Sequence, residues 1–286
     1  MPEALNVALA QLSPRLRDTQ ANLATMRRIV AGLPEADLIV FPELYLSGYV
    51  LDRVGELAIR PDGPELQSIA DIAREGSTAL IFGAPEHVEG GAANSAFCVD
   101  ERGNIAAVYR KVQLFGGDET DAFMAGDELL VVGLCGVQMG LMICFDVEFP
   151  EVARSLARGG ADLLVTISAN MEPFGNDHAV FVSARALENG LPHVYVNQVG
   201  LAGDLNFVGG STVVSVDGEV DVQASSSDED VPEASLLLPA ESSVRQDYLG
   251  ELRSPMPGVR NVMSGAEAET RTRIQGRPRT RPQGNL

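Results

Sequence analysis

The stretch Leu141-Met142-Ile143-Cys144-Phe145-Asp146-Val147-Glu148-Phe149-Pro150 changes its periodicity at the cysteine. Before it, the apolar run Val137–Cys144 reads as a strand. After it, Phe149, Val152, Ala153 and Leu156 recur at helical spacing, with Pro150 suited to a first helical turn and Gly159-Gly160 to a helix end. Ala161–Ser168 is a strand again. Strand and helix alternate, which predicts an α/β fold.

The pattern extends outward on both sides. Toward the N-terminus, Leu5–Leu12, Asp37–Glu43 and Thr78–Ala84 read as strands. Helical repeats separate them, at Leu23, Met26, Ile29, Val30 and Leu33, and at Leu66, Ile69, Ala70 and Ala73. The middle differs: Asn94–Asp100, Ile105–Lys111, Leu129–Leu134 and Val137–Cys144 are strands joined by turns, so antiparallel pairing is expected there. Toward the C-terminus follow a helix at Asp177–Asn189 and strands at His193–Val199 and Ser211–Val216. Helices on mixed sheets with no dividing linker predict one domain over residues 1–263. Ala224–Glu233 reads as a polar, acidic, weakly structured loop, and residues 264–286 as an Arg/Pro/Gly-rich flexible tail.

Composition narrows the function. Of 286 residues, 45% are hydrophobic, enough for a large core and incompatible with wholesale disorder. No apolar run approaches the roughly 20 residues of a membrane span, and the N-terminus lacks the pattern of a secretory signal, so a cytoplasmic protein is expected. A net charge of −19 argues against nucleic acid or an acidic membrane as partner. The tail carries +3 and residues 1–263 carry −22. Three cysteines without paired spacing argue against a disulfide framework, and His87, His178 and His193 lack metal-ligand spacing, so no metal is expected. No phosphate-binding glycine loop follows a strand, so no cofactor is expected either.

Three apolar runs finish on a reactive side chain: Glu43, Lys111 and Cys144. Open α/β sheets place their sites at the carboxyl ends of strands, so a carboxylate, an ammonium and a thiol are expected to converge. Lys111 is the chain's single lysine beside twenty arginines, which points to a role for a compact cation that a guanidinium cannot fill. An ammonium stabilises a thiolate or an oxyanion, and a carboxylate serves as base and acid, so the trio describes nucleophilic acyl transfer without histidine.

The blocks around these residues, Phe41-Pro42-Glu43-Leu44-Tyr45-Leu46-Ser47-Gly48-Tyr49, Tyr109-Arg110-Lys111-Val112-Gln113-Leu114-Phe115 and Cys144-Phe145-Asp146-Val147-Glu148-Phe149-Pro150-Glu151, resemble the signature blocks of the nitrilase superfamily of carbon–nitrogen hydrolases. The resemblance runs on through Ser168–Phe174 and Arg185–Asn189 and covers roughly residues 4 to 250. It implies a four-layer α-β-β-α sandwich and a Glu43-Lys111-Cys144 triad. A second glutamate shortly after the lysine, frequent in the family, maps to Glu119, with Asp118 and Glu128 close by in sequence. Gln113 stands where many relatives have histidine. Phe145 is expected to supply an oxyanion-binding N–H, and Tyr49, Phe115, Asn170 and Met171 to shape the pocket. His178 and Phe174 are weaker candidates for its border, and Cys98 and Cys135 read as packing residues.

The nucleophile block resembles the aliphatic amidase branch, including 5-aminopentanamidase-like and stereoselective amidases. The implied activity is hydrolysis of a small aliphatic amide by water through a thioester. The alternatives are an N-carbamoyl amine hydrolase or nitrilase on the same triad and, from another class, a catalytically silent scaffold. The family also implies a homodimer or larger homo-oligomer, with Phe149–Arg158 and Asp177–Asn189 as candidate interface helices.

Overall fold

Paired strand residues sort alternately to two different cores, and this alternation defines the layers. In the computed structural model, Val7, Leu9, Leu38, Val40, Ala79 and Ile81 pack with Met139, Leu141, Ile143, Leu163, Val165, Ile167, Val194 and Val196 in one buried cluster. Their sequence neighbours Ala8, Ala10, Ile39, Phe41, Leu80 and Phe82 face a second cluster with Leu23, Met26, Ile69 and Ile72. Met142, Leu164, Tyr195 and Val214 face a third with Val152, Leu156, Val182 and Ala186. A side-chain period of two delivers one face of each sheet to the other sheet and the opposite face to helices. Strands buried on both faces read as continuous apolar runs, which is why 38–41, 79–82 and 163–167 carry so few polar residues. The result is the α-β-β-α sandwich that the family resemblance implies.

The elements in chain order are β1 (Glu3–Leu9), α1 (Thr19–Gly32), β2 (Leu38–Val40), α2 (Pro64–Gly76), β3 (Ala79–Val88), β4 (Gly91–Val99), β5 (Ile105–Arg110) and α3 (Gly116–Ala122). Then follow β6 (Val131–Leu134), β7 (Val137–Ile143), α4 (Pro150–Arg158), β8 (Leu163–Ser168), α5 (Gly175–Asn189), β9 (His193–Asn197), β10 (Val199–Ala202), β11 (Leu205–Val208), β12 (Thr212–Val214), β13 (Val220–Gln223) and β14 (Glu233–Leu238). One six-stranded sheet has the order β14-β1-β2-β3-β4-β5, the other β13-β12-β9-β8-β7-β6, and β10-β11 forms a separate ribbon. Pairing is parallel across β1-β2-β3 and β7-β8-β9, and antiparallel elsewhere, including the hairpins β3-β4 and β4-β5 expected from the turn-rich middle.

The structure describes residues 3–238 and 248–253. Residues to Gly250 belong to one compact unit, and 251–253 are grouped separately. The expected boundary at 263 and the Arg-rich tail lie outside the described residues. Among the described residues, no helix is long and apolar enough to cross a membrane.

Several elements differ from the sequence expectation. The strand predicted over 37–43 spans only Leu38–Val40, so Glu43 lies past its end. Leu44, the next residue, has a φ of 49° that turns the chain sharply there. Helix α3 carries no sequence signal: it is seven residues long, begins Gly-Gly and has no apolar repeat. Residues 224–233 are tethered rather than loose. Gln11 Nε2 donates to the carbonyls of Ser225 and Asp228 at 2.5 and 2.9 Å, and Gln11 bridges Asp230.

Candidate active site

Each of the three reactive residues lies just past a strand. Lys111 follows β5 directly, Cys144 follows β7 directly, and Glu43 comes three residues after β2. Glu43 and Lys111 thus come from the first sheet and Cys144 from the second. Facing sheets bring these ends together. Close approach fixes Glu43: a Cβ on Gly83 of β3 would lie 2.3 Å from Leu44 N and 2.6 Å from Glu43 Cα, so only glycine lets the Glu43 turn pack on β3.

The Lys111 ammonium is fully buried and donates to Glu43 Oε1 at 2.8 Å and to the Glu119 carboxylate at 2.9 Å. Helix α3 thereby delivers Glu119, itself 0% exposed, which further accepts hydrogen bonds from Tyr49 OH at 2.7 Å and Phe115 N at 2.8 Å. Asp118 and Glu128 are largely exposed and take no part in this cluster. Asn94 Nδ2 donates to Glu43 Oε1 at 2.7 Å, and Gln198 Nε2 holds the Glu43 carbonyl at 2.7 Å. The other carboxylate oxygen, Glu43 Oε2, is buried and has no hydrogen-bond partner among the described residues. A desolvated carboxylate oxygen left without a donor is costly unless a reacting group occupies that position.

Burial sets the proton affinities. Desolvation raises the Glu43 carboxyl, opposed by the Lys111 charge. Burial alone would depress the Lys111 ammonium, but the carboxylates of Glu43 and Glu119 outweigh it and hold it protonated. The Cys144 thiol is raised by desolvation and by the Glu43 charge, with Lys111 and the Ser168 hydroxyl pulling the other way. A thiol of this kind needs a base, and a carboxylate raised by burial is a stronger one than an exposed carboxylate.

Cys144 opens a short 3-10 helix, Cys144–Glu148, with a φ of 46°, a sharp turn at the end of a strand that projects the thiol out of the sheet. Asp146 fastens that turn. It accepts from Ile143 N at 2.9 Å, from Gln113 N at 2.9 Å and from Tyr109 OH at 2.8 Å, tying the Cys144 turn to the segment around Lys111. Gln113 thus serves here through its backbone N–H. Arg185 of α5 completes the support, donating to the carbonyls of Val147 and Glu148 at 2.9 Å each.

A cleft opens on Cys144, and Tyr49, Phe115, Phe145, Asn170 and Met171 all line it, with Phe174, His178, Glu148 and Ala169. Phe115 meets Phe145 and Phe174 edge-on at centroid separations of 5.3 and 5.7 Å, and Phe145 meets Phe149 at 5.0 Å. The β10-β11 ribbon backs the wall: Phe207 packs on Tyr49 at 5.7 Å and bridges Met171. Cys98 is buried in β4, and Cys135 sits in the β6-β7 turn with its Sγ on the Asp37 carbonyl. Among the described residues, no group of three His, Cys, Asp or Glu side chains is placed to hold a metal ion.

Sequence reasoning assigns no role to Asn94, Gln198, Asp146, Tyr109, Ser168 or Tyr195. Strand pairing and the packing of one sheet on the other, rather than spacing along the chain, bring them to the site. The one local signal is the position of Asp146 two residues past the cysteine.

Comparison with known proteins places this geometry. The carbon-nitrogen hydrolase family model matches residues 6–246. An (R)-stereoselective amidase from a Pseudomonas species is 38% identical over 247 residues, covering 85% of this chain and 89% of that one. A hydrolase encoded in the pqqF 5' region of Pseudomonas protegens is 40% identical over 220 residues, covering 76% and 77%. The crystal structure of an amidase from Nesterenkonia superposes with a TM-score of 0.78 at 30% identity, over 87% of this chain and 94% of that chain. A variant of that amidase carries the acetamide moiety of fluoroacetamide added covalently at its active-site cysteine. A family model spanning most of the sequence, relatives of this identity and the shared two-sheet architecture together establish that the chain belongs to the carbon-nitrogen hydrolase family.

Proposed function

We propose that the chain is a cysteine-dependent amidase that hydrolyses small aliphatic amides to a carboxylate and ammonia. The observation that carries this reading is the unpartnered, buried Glu43 Oε2 beside a Lys111 locked by two carboxylates. In the first step Glu43 takes the Cys144 proton as the sulfur attacks the amide carbonyl carbon. Negative charge develops on the carbonyl oxygen, and Lys111 and the Phe145 N–H stabilise it. The second residue of a helix has no intrahelical acceptor for its N–H, which leaves that donor for the substrate. Glu43 returns its proton to the departing nitrogen, the carbon–nitrogen bond breaks, and ammonia leaves a thioester on Cys144. Water then gives a proton to Glu43 and its oxygen to the acyl carbon. The carboxylic acid departs and the sulfur recovers the proton. Glu119 does not exchange protons in this scheme; it orients Lys111.

The amide choice is supported by the amidase relative from Pseudomonas and by a variant of the Nesterenkonia amidase solved with butyramide. It is also supported by a pocket whose aromatic walls suit a short apolar acyl group. The test is a panel of short amides, nitriles and N-carbamoyl amines read for ammonia and carboxylate. Amides should be turned over fastest, and Cys144→Ala should release no ammonia while keeping its fold. Faster hydrolysis of a nitrile or a carbamoyl compound would transfer the reading to that class, and activity in the alanine variant would end it. We also infer a homodimer built on the α4 and α5 face, which sedimentation at a monomer mass of 30.3 kDa would reject.

A further inference from the structure

The second sheet carries a polar file that the mechanism above does not use. Ile143 pairs with Ile167 in the parallel β7-β8 ladder, so Ser168, at the end of β8, sits beside Cys144 one step beyond the last pair. Tyr195 of β9 pairs with Thr166, which puts Tyr195 on the same sheet face as Thr166 and Ser168. The Tyr195 hydroxyl donates to Ser168 Oγ at 3.1 Å, and His178 Nδ1 of α5 lies 2.8 Å from the Tyr195 oxygen. All three side chains are at most 3% exposed. His178 Nε2 is 3.4 Å from Glu148 Oε1, at the wall of the substrate cleft.

We propose that Ser168, Tyr195 and His178 are positioning residues, a file of hydrogen-bond donors directed at Cys144 that holds its sulfur in place and supports its thiolate. Each hydroxyl has one proton, so the direction is forced once the sulfur is an anion. Ser168 gives its proton to sulfur, accepts from Tyr195, and Tyr195 in turn accepts from His178 Nδ1–H. Desolvation keeps the Tyr195 phenol protonated, so the link remains a donor. Buried donors linked in series polarise one another, and a hydrogen bond to an ionised group is about twice as strong as a neutral one. The first sheet presents Glu43, Lys111, Glu119 and Tyr49 to the same thiol, and their two carboxylates oppose the thiolate. The file offsets that opposition from within the nucleophile's own sheet. His178 is faced by Glu148 and Tyr195, while Arg185 on the same helix is engaged by Val147, Glu148 and Glu188.

The proposal rests on Cys144 being the nucleophile, but its test needs no amide turnover. The pH dependence of Cys144 alkylation by iodoacetamide, followed on the Cys144 peptide by mass spectrometry, reads the thiolate directly. Tyr195→Phe keeps the ring and removes the link. It should move the alkylation midpoint up by about one pH unit and lower kcat about tenfold with KM little changed. His178→Leu should do the same, and His178→Asn, whose amide N–H replaces the Nδ1 donor, should restore most of the loss. Wild-type alkylation profiles in Tyr195→Phe and His178→Leu would overturn the proposal, as would a His178→Asn profile identical to that of the leucine variant. Should Tyr195→Phe fail to fold, the leucine and asparagine substitutions of His178 decide. A protein that turns over no amide yet shows these shifts would lose the amidase reading and keep the file.

Discussion

Replacing Lys111 by arginine keeps the charge and changes only its shape, so it isolates geometry from electrostatics. The ammonium sits between Glu43 Oε1 at 2.8 Å and the Glu119 carboxylate at 2.9 Å, with no solvent-exposed surface on the lysine. Two of its three protons are committed there, and in the proposed mechanism the third serves the substrate oxygen. A planar guanidinium is larger and presents its donors in a fixed fork, so it cannot satisfy both carboxylates from one nitrogen and still aim a proton at the cleft. Overpacking a buried site costs about 1–3 kcal/mol, which for a chain of this size lowers Tm by roughly 5 °C. Loss of one oxyanion donor costs about 10²–10³ in kcat. Steady-state ammonia release and thermal unfolding of Lys111→Arg should therefore show a folded protein with kcat reduced by that factor. Lys111→Met, which leaves two buried carboxylates without a cation, should lose about 3–5 kcal/mol of stability. A folded arginine variant with kcat within about threefold of wild type would mean that the pathway needs a positive charge and no particular donor position, removing Lys111 as a directed donor.

Further expectations follow from the same contacts. Tyr49→Phe removes one hydrogen bond to the Glu119 carboxylate and should lower kcat about tenfold; an unchanged kcat would show that Phe115 N and Lys111 alone position Glu119. Gly83→Ala places a methyl group against the Glu43 and Leu44 backbone and should reduce both kcat and Tm, whereas wild-type values would mean the turn relaxes freely. Burial pushes the Asp146 carboxyl up to about 6, against the hydrogen bonds from Ile143, Tyr109 and Gln113 and the Lys111 charge. A group raised in the folded state adds stability below its unfolded pKa of about 4 and loses it as pH climbs through 6. The stability difference between wild type and Asp146→Asn in urea titrations should thus be larger at pH 4 than at pH 7, by about 2–3 kcal/mol. A difference independent of pH would remove Asp146 from that role.

What the sequence made legible follows from where the information lies. The runs ending on Glu43, Lys111 and Cys144 are local, and a residue just past a buried strand must emerge at the sheet's edge, so the trio could be read from one dimension. The alternation of sheets and helices was equally local, since each run carries its own period. Glu119 was reachable only through the family resemblance, because α3 is too short and too polar to announce itself. Gln11 shows the opposite case: an acidic, serine-rich segment that composition marks as loose is held by contacts more than 200 positions away, the Gln11 side chain and the Leu9, Gln11 and Ser13 backbone among them. Asn94, Gln198 and the Ser168-Tyr195-His178 file depend on how strands, a turn and helix α5 are paired in space. That pairing is decided by the packing of two sheets and leaves no mark on spacing along the chain.

In the proposed mechanism the carbon–nitrogen bond breaks with an acyl group held on Cys144. Acid-quenched mass spectrometry of the protein during turnover of its best amide reads that adduct. A mass gain equal to the acyl group is expected, located on the Cys144 peptide and lost as substrate is exhausted. Amide turnover with no adduct on that peptide, continuing undiminished in Cys144→Ala, would contradict the mechanism.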